Sequence, residues 1–171
     1  MKLDTNVKQE APPLRLGLSG LGGWLVLVQI GMYASMLLLI MTLFRDNLPA
    51  LRSEDWELLT SKDSLFYDPL WKPLLIFETV ANALLLVFIA YCLSNFYRKK
   101  AILPTLMIVF LSTSLLIGMA DYGMVNQIDL VQEYDLLGPD SVRDLGRSAI
   151  ACAIWIPYFR KSERVKNTFV R

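Results

Sequence analysis

Five polar side chains stand within or at the edges of otherwise apolar stretches: Glu78, Asn82, Asp121, Asp144 and Arg147. A lone charge at the centre of a bilayer costs about 2.5–3.5 kcal/mol on insertion scales, so such groups pair, snorkel or face water. Arg98 follows Glu78 by about 20 residues, or roughly 30 Å of helix, and Arg160 follows Arg147 by roughly 20 Å. Asp121 closes its apolar run, and Asp144 lies one helical turn from Arg147. The five groups therefore come from three segments at similar depth. Arg147 is expected to face a bundle interior and pair with Glu78 or Asp121, with Asn82 one turn below Glu78 completing the cluster. Three kinds of chemistry suit this set. A polar clamp would fix helix register. The floor of an outward-facing site would take a ligand or ion. A carboxylate pair, Glu78 and Asp121, would act as acid and base on a lipid. No nucleophile stands beside that pair, and no residue is assigned as catalytic.

The remaining composition removes other mechanisms. With no His, neither a His-based nucleophile relay nor a His-metal site can be built. The two Cys, Cys92 and Cys152, suffice neither for a disulfide framework nor for a four-Cys metal site. No metal and no cofactor is expected. The net charge of +1 argues against nucleic-acid binding. The glycines at 17, 20, 22 and 23 follow no strand and precede no GK[ST], so they read as a flexible, closely packed entry and not as a phosphate loop.

The elements that must position these residues are apolar helices. Hydrophobic residues make up 54% of the 171, which points to the membrane class. Uncharged or nearly uncharged runs place spans over about 22–44, 74–97 and 101–120, each near the ~20 residues a crossing helix needs. A fourth run, 148–159, is short. It becomes a full span over 141–160 if its outer third carries Asp144 and Arg147, with Ser141 or Asp140 as N-cap after Gly138–Pro139. The expected fold is thus an all-α bundle of four transmembrane helices, residues 16–160. A polar tail precedes it (1–15) and a basic tail follows (161–171). The first apolar run is too long for a cleavable leader and lacks a small-x-small site after it.

Charge sets the expected orientation. The N-tail, the Arg98-Lys99-Lys100 turn and the C-tail are basic, whereas the loops 45–73 and 121–147 are acidic. The positive-inside rule then puts both termini in the cytoplasm, and a three-span chain would leave the basic C-tail on the wrong side. The basic residues Arg160, Lys161, Arg164 and Lys166 suit contact with anionic lipid or with a partner. In the outer loops, Ser53 is placed to cap a short helix, and 128–137 reads as another. Gln29 is a candidate interhelical donor. Gly31 and Ser35 form a small-xxx-small pair that would let a neighbouring helix approach.

Three stretches carry a family resemblance: Gly20-Leu21-Gly22-Gly23-Trp24-Leu25; Tyr67-Asp68-Pro69-Leu70-Trp71 with Phe77-Glu78 and Asn82; and Ile154-Trp155-Ile156-Pro157-Tyr158-Phe159 continuing through Ser162 to Phe169. Over about 17–170 the chain resembles the bacterial membrane-protein family described as domain of unknown function 2569. The resemblance implies a small four-helix integral membrane protein and no activity. The expected role is a non-enzymatic accessory or structural subunit of a cell-envelope complex in the bacterial inner membrane, in contact with the lipid bilayer and with a second copy or an envelope partner. The alternative is a small-molecule or ion transporter or sensor built on Glu78 and Arg147. A third reading is the lipid-acting enzyme.

Overall fold

The computed structural model describes residues 19–133 and 138–170, and all regular structure among them is helical. Helix α1 runs Trp24–Met41 and continues without a break through a π-helical turn, Thr42–Asn47, into α2, Leu48–Ala50. The short α3, Glu54–Thr60, follows Ser53, whose extended backbone is that of an N-cap. Two long helices come next, α4 (Trp71–Tyr97) and α5 (Leu103–Val125). Pro73 and Pro104 fall in their first turns, where a missing N–H removes no helix bond. The short α6 (Asp129–Glu133), the long α7 (Gly138–Lys161) and the short α8 (Glu163–Thr168) complete the chain.

Three helices are long and apolar enough to cross a membrane: Trp24–Ala50, Trp71–Tyr97 and Leu103–Val125. The first continues beyond the expected end at 44, because Arg45 and Asp46 lie within its wall and not in a loop. The expected fourth span is present as a helix of 24 residues, about 36 Å long. It is not among the three, since Asp140, Arg143, Asp144 and Arg147 dilute its first half.

The long helices pack in the order α1, α4, α5, α7, each on the next. Two contacts set the register of α7 on α5: the Cys152 thiol donates to the Leu111 carbonyl (3.3 Å), and Leu145 reaches Gly118. The two helices therefore run antiparallel, side by side over most of their length, and Arg160 lies level with the start of α5. The core follows this seam: Leu25, Val28 and Met32 from α1 meet Ile89, Cys92 and Phe96, then Met107, Phe110 and Phe159. A second small core, Leu74 with Ile128 and Val131, seats α6 on the opposite end of the bundle. Gly31 meets no neighbour where a Cβ would stand; with Ser35 it borders a hollow of about 210 Å³ between α1 and α7. The close approach expected of that pair is not made.

At one end, the entry to α1, the α4–α5 turn and α8 are tied together. The Gly20 amide donates to Thr168 Oγ1 (3.0 Å), and that hydroxyl also lies 3.3 Å from the Gly20 carbonyl. Phe169 is buried against Phe96, ring centres 5.7 Å apart. Gln29 donates to the Tyr97 hydroxyl (2.5 Å), which also meets the Tyr33 hydroxyl (2.8 Å), and this fastens α1 to α4. The Arg164 guanidinium lies over Gly22 and Gly23, so close that a Cβ on Gly23 would stand 2.5 Å from its Nη1.

Gly23 also has φ +62°, a left-handed backbone that disfavours any residue with a Cβ. Gly23→Ala is expected to cost about 1–2 kcal/mol from the backbone alone. Gly31→Ala, in open space, is expected to change stability by a few tenths at most or to raise it slightly. Thermal unfolding of the two variants in one detergent separates them.

Candidate functional site

The site lies at the end opposite Gly20 and Thr168, and it begins with a proline. Pro49 has no amide hydrogen, and its ring crowds the carbonyl four residues back, that of Arg45. The helix leading into it widens to the π form over Thr42–Asn47. That turn brings Asn47 to the inner face, where it is 4% exposed. Its Nδ2 donates to Glu78 Oε2 (3.3 Å), and its Oδ1 accepts from Asn82 Nδ2 (2.9 Å). Glu78 and Asn82 are one turn apart on α4, so one amide spans both.

Glu78 reaches across to α5, where its carboxyl is in side-chain hydrogen-bonding contact with that of Asp121. Asp121 Oδ1 is itself buried and has no hydrogen-bond partner among the described residues. The two carboxyls form the partition between two hollows. One, about 300 Å³, is bordered by Thr42, Asp46, Asn47, Asn82 and Ser114. The other, about 400 Å³, lies toward α7 and is bordered by Tyr122, Ser141, Asp144 and Ser148. Gly118 borders both; a side chain there would narrow the passage beside the carboxyls. Among the described residues, four acids border the two hollows and no lysine or arginine does.

Of the residues expected in this cluster, Glu78, Asn82 and Asp121 come together, and Asp144 borders the same hollow. Arg147 does not join them. Its guanidinium donates to Asp144 Oδ1 at 2.9 Å along one face of α7, and both side chains are 70% exposed. The reason is rotation and not depth. Ser141, Asp144, Leu145 and Ser148 recur at the spacing of one helix face, and Arg147 lies about 100° from Ser148 around the axis. Asn47 was missed because Arg45 and Asp46 ended the apolar run before it. The signal that could have found it is Pro49, which disturbs any helix still running at that point.

At the other end, Arg160, Lys161 and Lys166 are exposed, and Arg164 is half-buried over the glycines. Cys92 and Cys152 are free and buried, as small apolar groups would be. No group of three or more Cys, Asp, Glu or His among the described residues is arranged to hold a metal ion.

Helices of membrane length around a polar centre, with no strand among the described residues, define a small all-helical protein of the membrane type. The chain belongs to a family described as protein of unknown function DUF2569, whose model matches residues 18–170. No curated protein and no solved structure matches it.

The two ends of this reading respond differently to substitution. Asn47→Leu leaves both Glu78 and Asn82 without their amide partner in a buried site and is expected to lower stability by about 1–3 kcal/mol. Arg147→Met removes an exposed pair and is expected to stay within about 0.5 kcal/mol of the parent. Unfolding midpoints in detergent compare the two directly.

Proposed function

We propose that this protein is a four-span membrane protein of the bacterial inner membrane whose Glu78–Asp121 pair binds a small cation, a proton included, as part of a transporter or sensor. The observation that carries this reading is the partition itself. Two carboxyls from different helices touch between two polar hollows that no basic side chain borders. A structural clamp would be expected to place a cation of the protein against them, as the Arg147 pairing would have done. Here the compensating positive charge must come from outside the chain. Asn47 and Asn82 hold Glu78 in place, and Gly118 keeps the passage beside it open. A π turn inside a helix is often found at functional positions, and this one sets Asn47.

Four crossings follow from α7. It accompanies α5 along most of that helix and returns the chain to the end where Gly20 and Thr168 meet. If α5 crosses, so does α7, and its Asp144–Arg147 pair lowers the cost of their depth. Both termini then share the basic side, which the positive-inside rule assigns to the cytoplasm. The accessory-subunit reading keeps one supporting observation, the exposed Asp144–Arg147 pair on α7, which an envelope partner or a second copy could cover. The lipid-enzyme reading has no nucleophile to add to the carboxyl pair.

Two measurements test this. Thermal unfolding in sodium, potassium, magnesium, calcium and choline salts, and across pH, is expected to show stabilisation by at least one cation. Glu78→Gln and Asp121→Asn are expected to abolish that response while staying folded. Equal responses in parent and variants would make the cluster a clamp. For topology, Ser64→Cys is expected to react with a membrane-impermeant maleimide in intact spheroplasts, and Asn167→Cys only after lysis. Labelling of both before lysis would place the C-terminal end outside and remove the fourth crossing.

A further inference from the structure

The basic end holds a second feature that the acid pair does not explain. The α4–α5 turn closes with a paired hydrogen-bond motif: the Lys99 amide donates to the Phe96 carbonyl and the Lys100 amide to the Asn95 carbonyl, both at 3.1 Å. In that motif the residue after the helix takes a left-handed backbone, and glycine is its usual occupant. Here it is Lys99, with φ +52°, the one non-glycine residue of positive φ among those described. A lysine held where glycine would be less strained points to a use for its side chain.

Its neighbours share its sign. Arg98, Lys99 and Lys100 are exposed on the turn. Arg160 and Lys161, also exposed, end α7 beside the start of α5, as the Cys152–Leu111 and Leu145–Gly118 contacts require. Lys166 is exposed on α8, whose Val165, Thr168 and Phe169 are buried against the bundle. The apolar side of α8 is thus spent inside the protein, and its charged side faces out. Within the turn and α8 the one acid is Glu163. Trp24 and Trp155, ring centres 6.4 Å apart, and the Tyr33–Tyr97 hydroxyl pair lie on the bundle side of this platform, where amphipathic rings meet a bilayer interface.

We infer that the Arg98–Lys100 turn, the end of α7 and α8 form one platform that binds anionic phospholipid headgroups, with Lys99 aimed at a lipid phosphate by its left-handed backbone. The occupant is a lipid and not a free anion, because the platform borders the apolar bundle surface and ends in an aromatic belt. The inference rests on the helices lying in a bilayer and is independent of what the acid pair binds.

The test uses the full chain in nanodiscs of phosphatidylcholine, with and without phosphatidylglycerol. The parent is expected to unfold several degrees higher in the mixed discs, and the gain is expected to shrink with added salt. Native mass spectrometry is expected to show preferential retention of phosphatidylglycerol. Lys99→Gln keeps the strain and removes the charge, so it is expected to lose much of the gain and leave the midpoint in phosphatidylcholine unchanged. Lys99→Gly is expected to raise that midpoint and lose the gain. The triple change Arg160→Gln, Lys161→Gln, Lys166→Gln is expected to abolish it. Lys62→Gln with Lys72→Gln, at the opposite end, is expected to keep it in full. The inference fails if Lys99→Gln or the triple variant retains the whole gain, or if the opposite-end variant loses as much. It also fails if glycerol phosphate added to phosphatidylcholine discs reproduces the gain. None of these outcomes alters the response to cations at Glu78, so the two readings fail separately.

Discussion

The antiparallel seam between α5 and α7 is the interaction on which the remaining architecture depends. Helix α7 is the least apolar of the four long helices, and its first half carries charges of both signs. Such a helix gains little from apolar surroundings by itself. It is held because its inward residues, Leu145, Cys152 and Phe159, lie along α5 in one continuous register. That register sets which side chains of α7 look into the bundle. It delivers Asp144 to the edge of the polar hollow and carries the end of α7 back to the basic turn. From there α8 can reach Gly20. Packing in a membrane interior is driven by close contact and by polar satisfaction more than by hydrophobic burial, so a well-fitted seam matters more here than apolar character.

The bundle is polarised along its length. One end collects lysine and arginine on exposed elements and fastens its strands of chain together with Thr168, Tyr97 and Arg164. The other collects carboxyls in half-enclosed hollows and fastens them with Asn47 and Asn82. Between the two ends, the core is apolar and contains the two thiols. The separation gives each end a different electrostatic environment. Cations are drawn to one end and anionic groups to the other, and the apolar middle keeps the two sets of charges too far apart to neutralise one another.

Much of this was legible in the chain. Apolar runs located the first three long helices. Counting residues along a helix gave the depth of Glu78, Asn82 and Asp121 well enough to group them. Charge separated the loops into two kinds. Ser53 and the 128–137 stretch marked short helices, of which Asp129–Glu133 is seen and 134–137 lies outside the described residues. Azimuth was the missing coordinate. Depth alone allowed Arg147 to meet Glu78, but a 24-residue helix of mixed character offers polar residues on several faces, and only its packing on α5 selects one. Asn47 was hidden for a different reason. Two charged residues usually end a membrane helix, and here the helix carries Arg45 and Asp46 on its exposed wall while Asn47 turns inward.

The π turn at Thr42–Asn47 gives the protein an unusual sensitivity to the length of its chain. In an α-helix each residue advances the direction of its side chain by about 100°. A wide turn absorbs residues at a lower angle apiece, so the helix beyond it is phased differently from the one before it. Losing a single codon between Thr42 and Asp46 would let the segment relax to an ordinary helix with every polar side chain of the site still encoded. Asn47 would then point elsewhere, and Glu78 and Asn82 would lose their common partner. At this position the spacing of the chain, as much as its residue types, is under physical constraint.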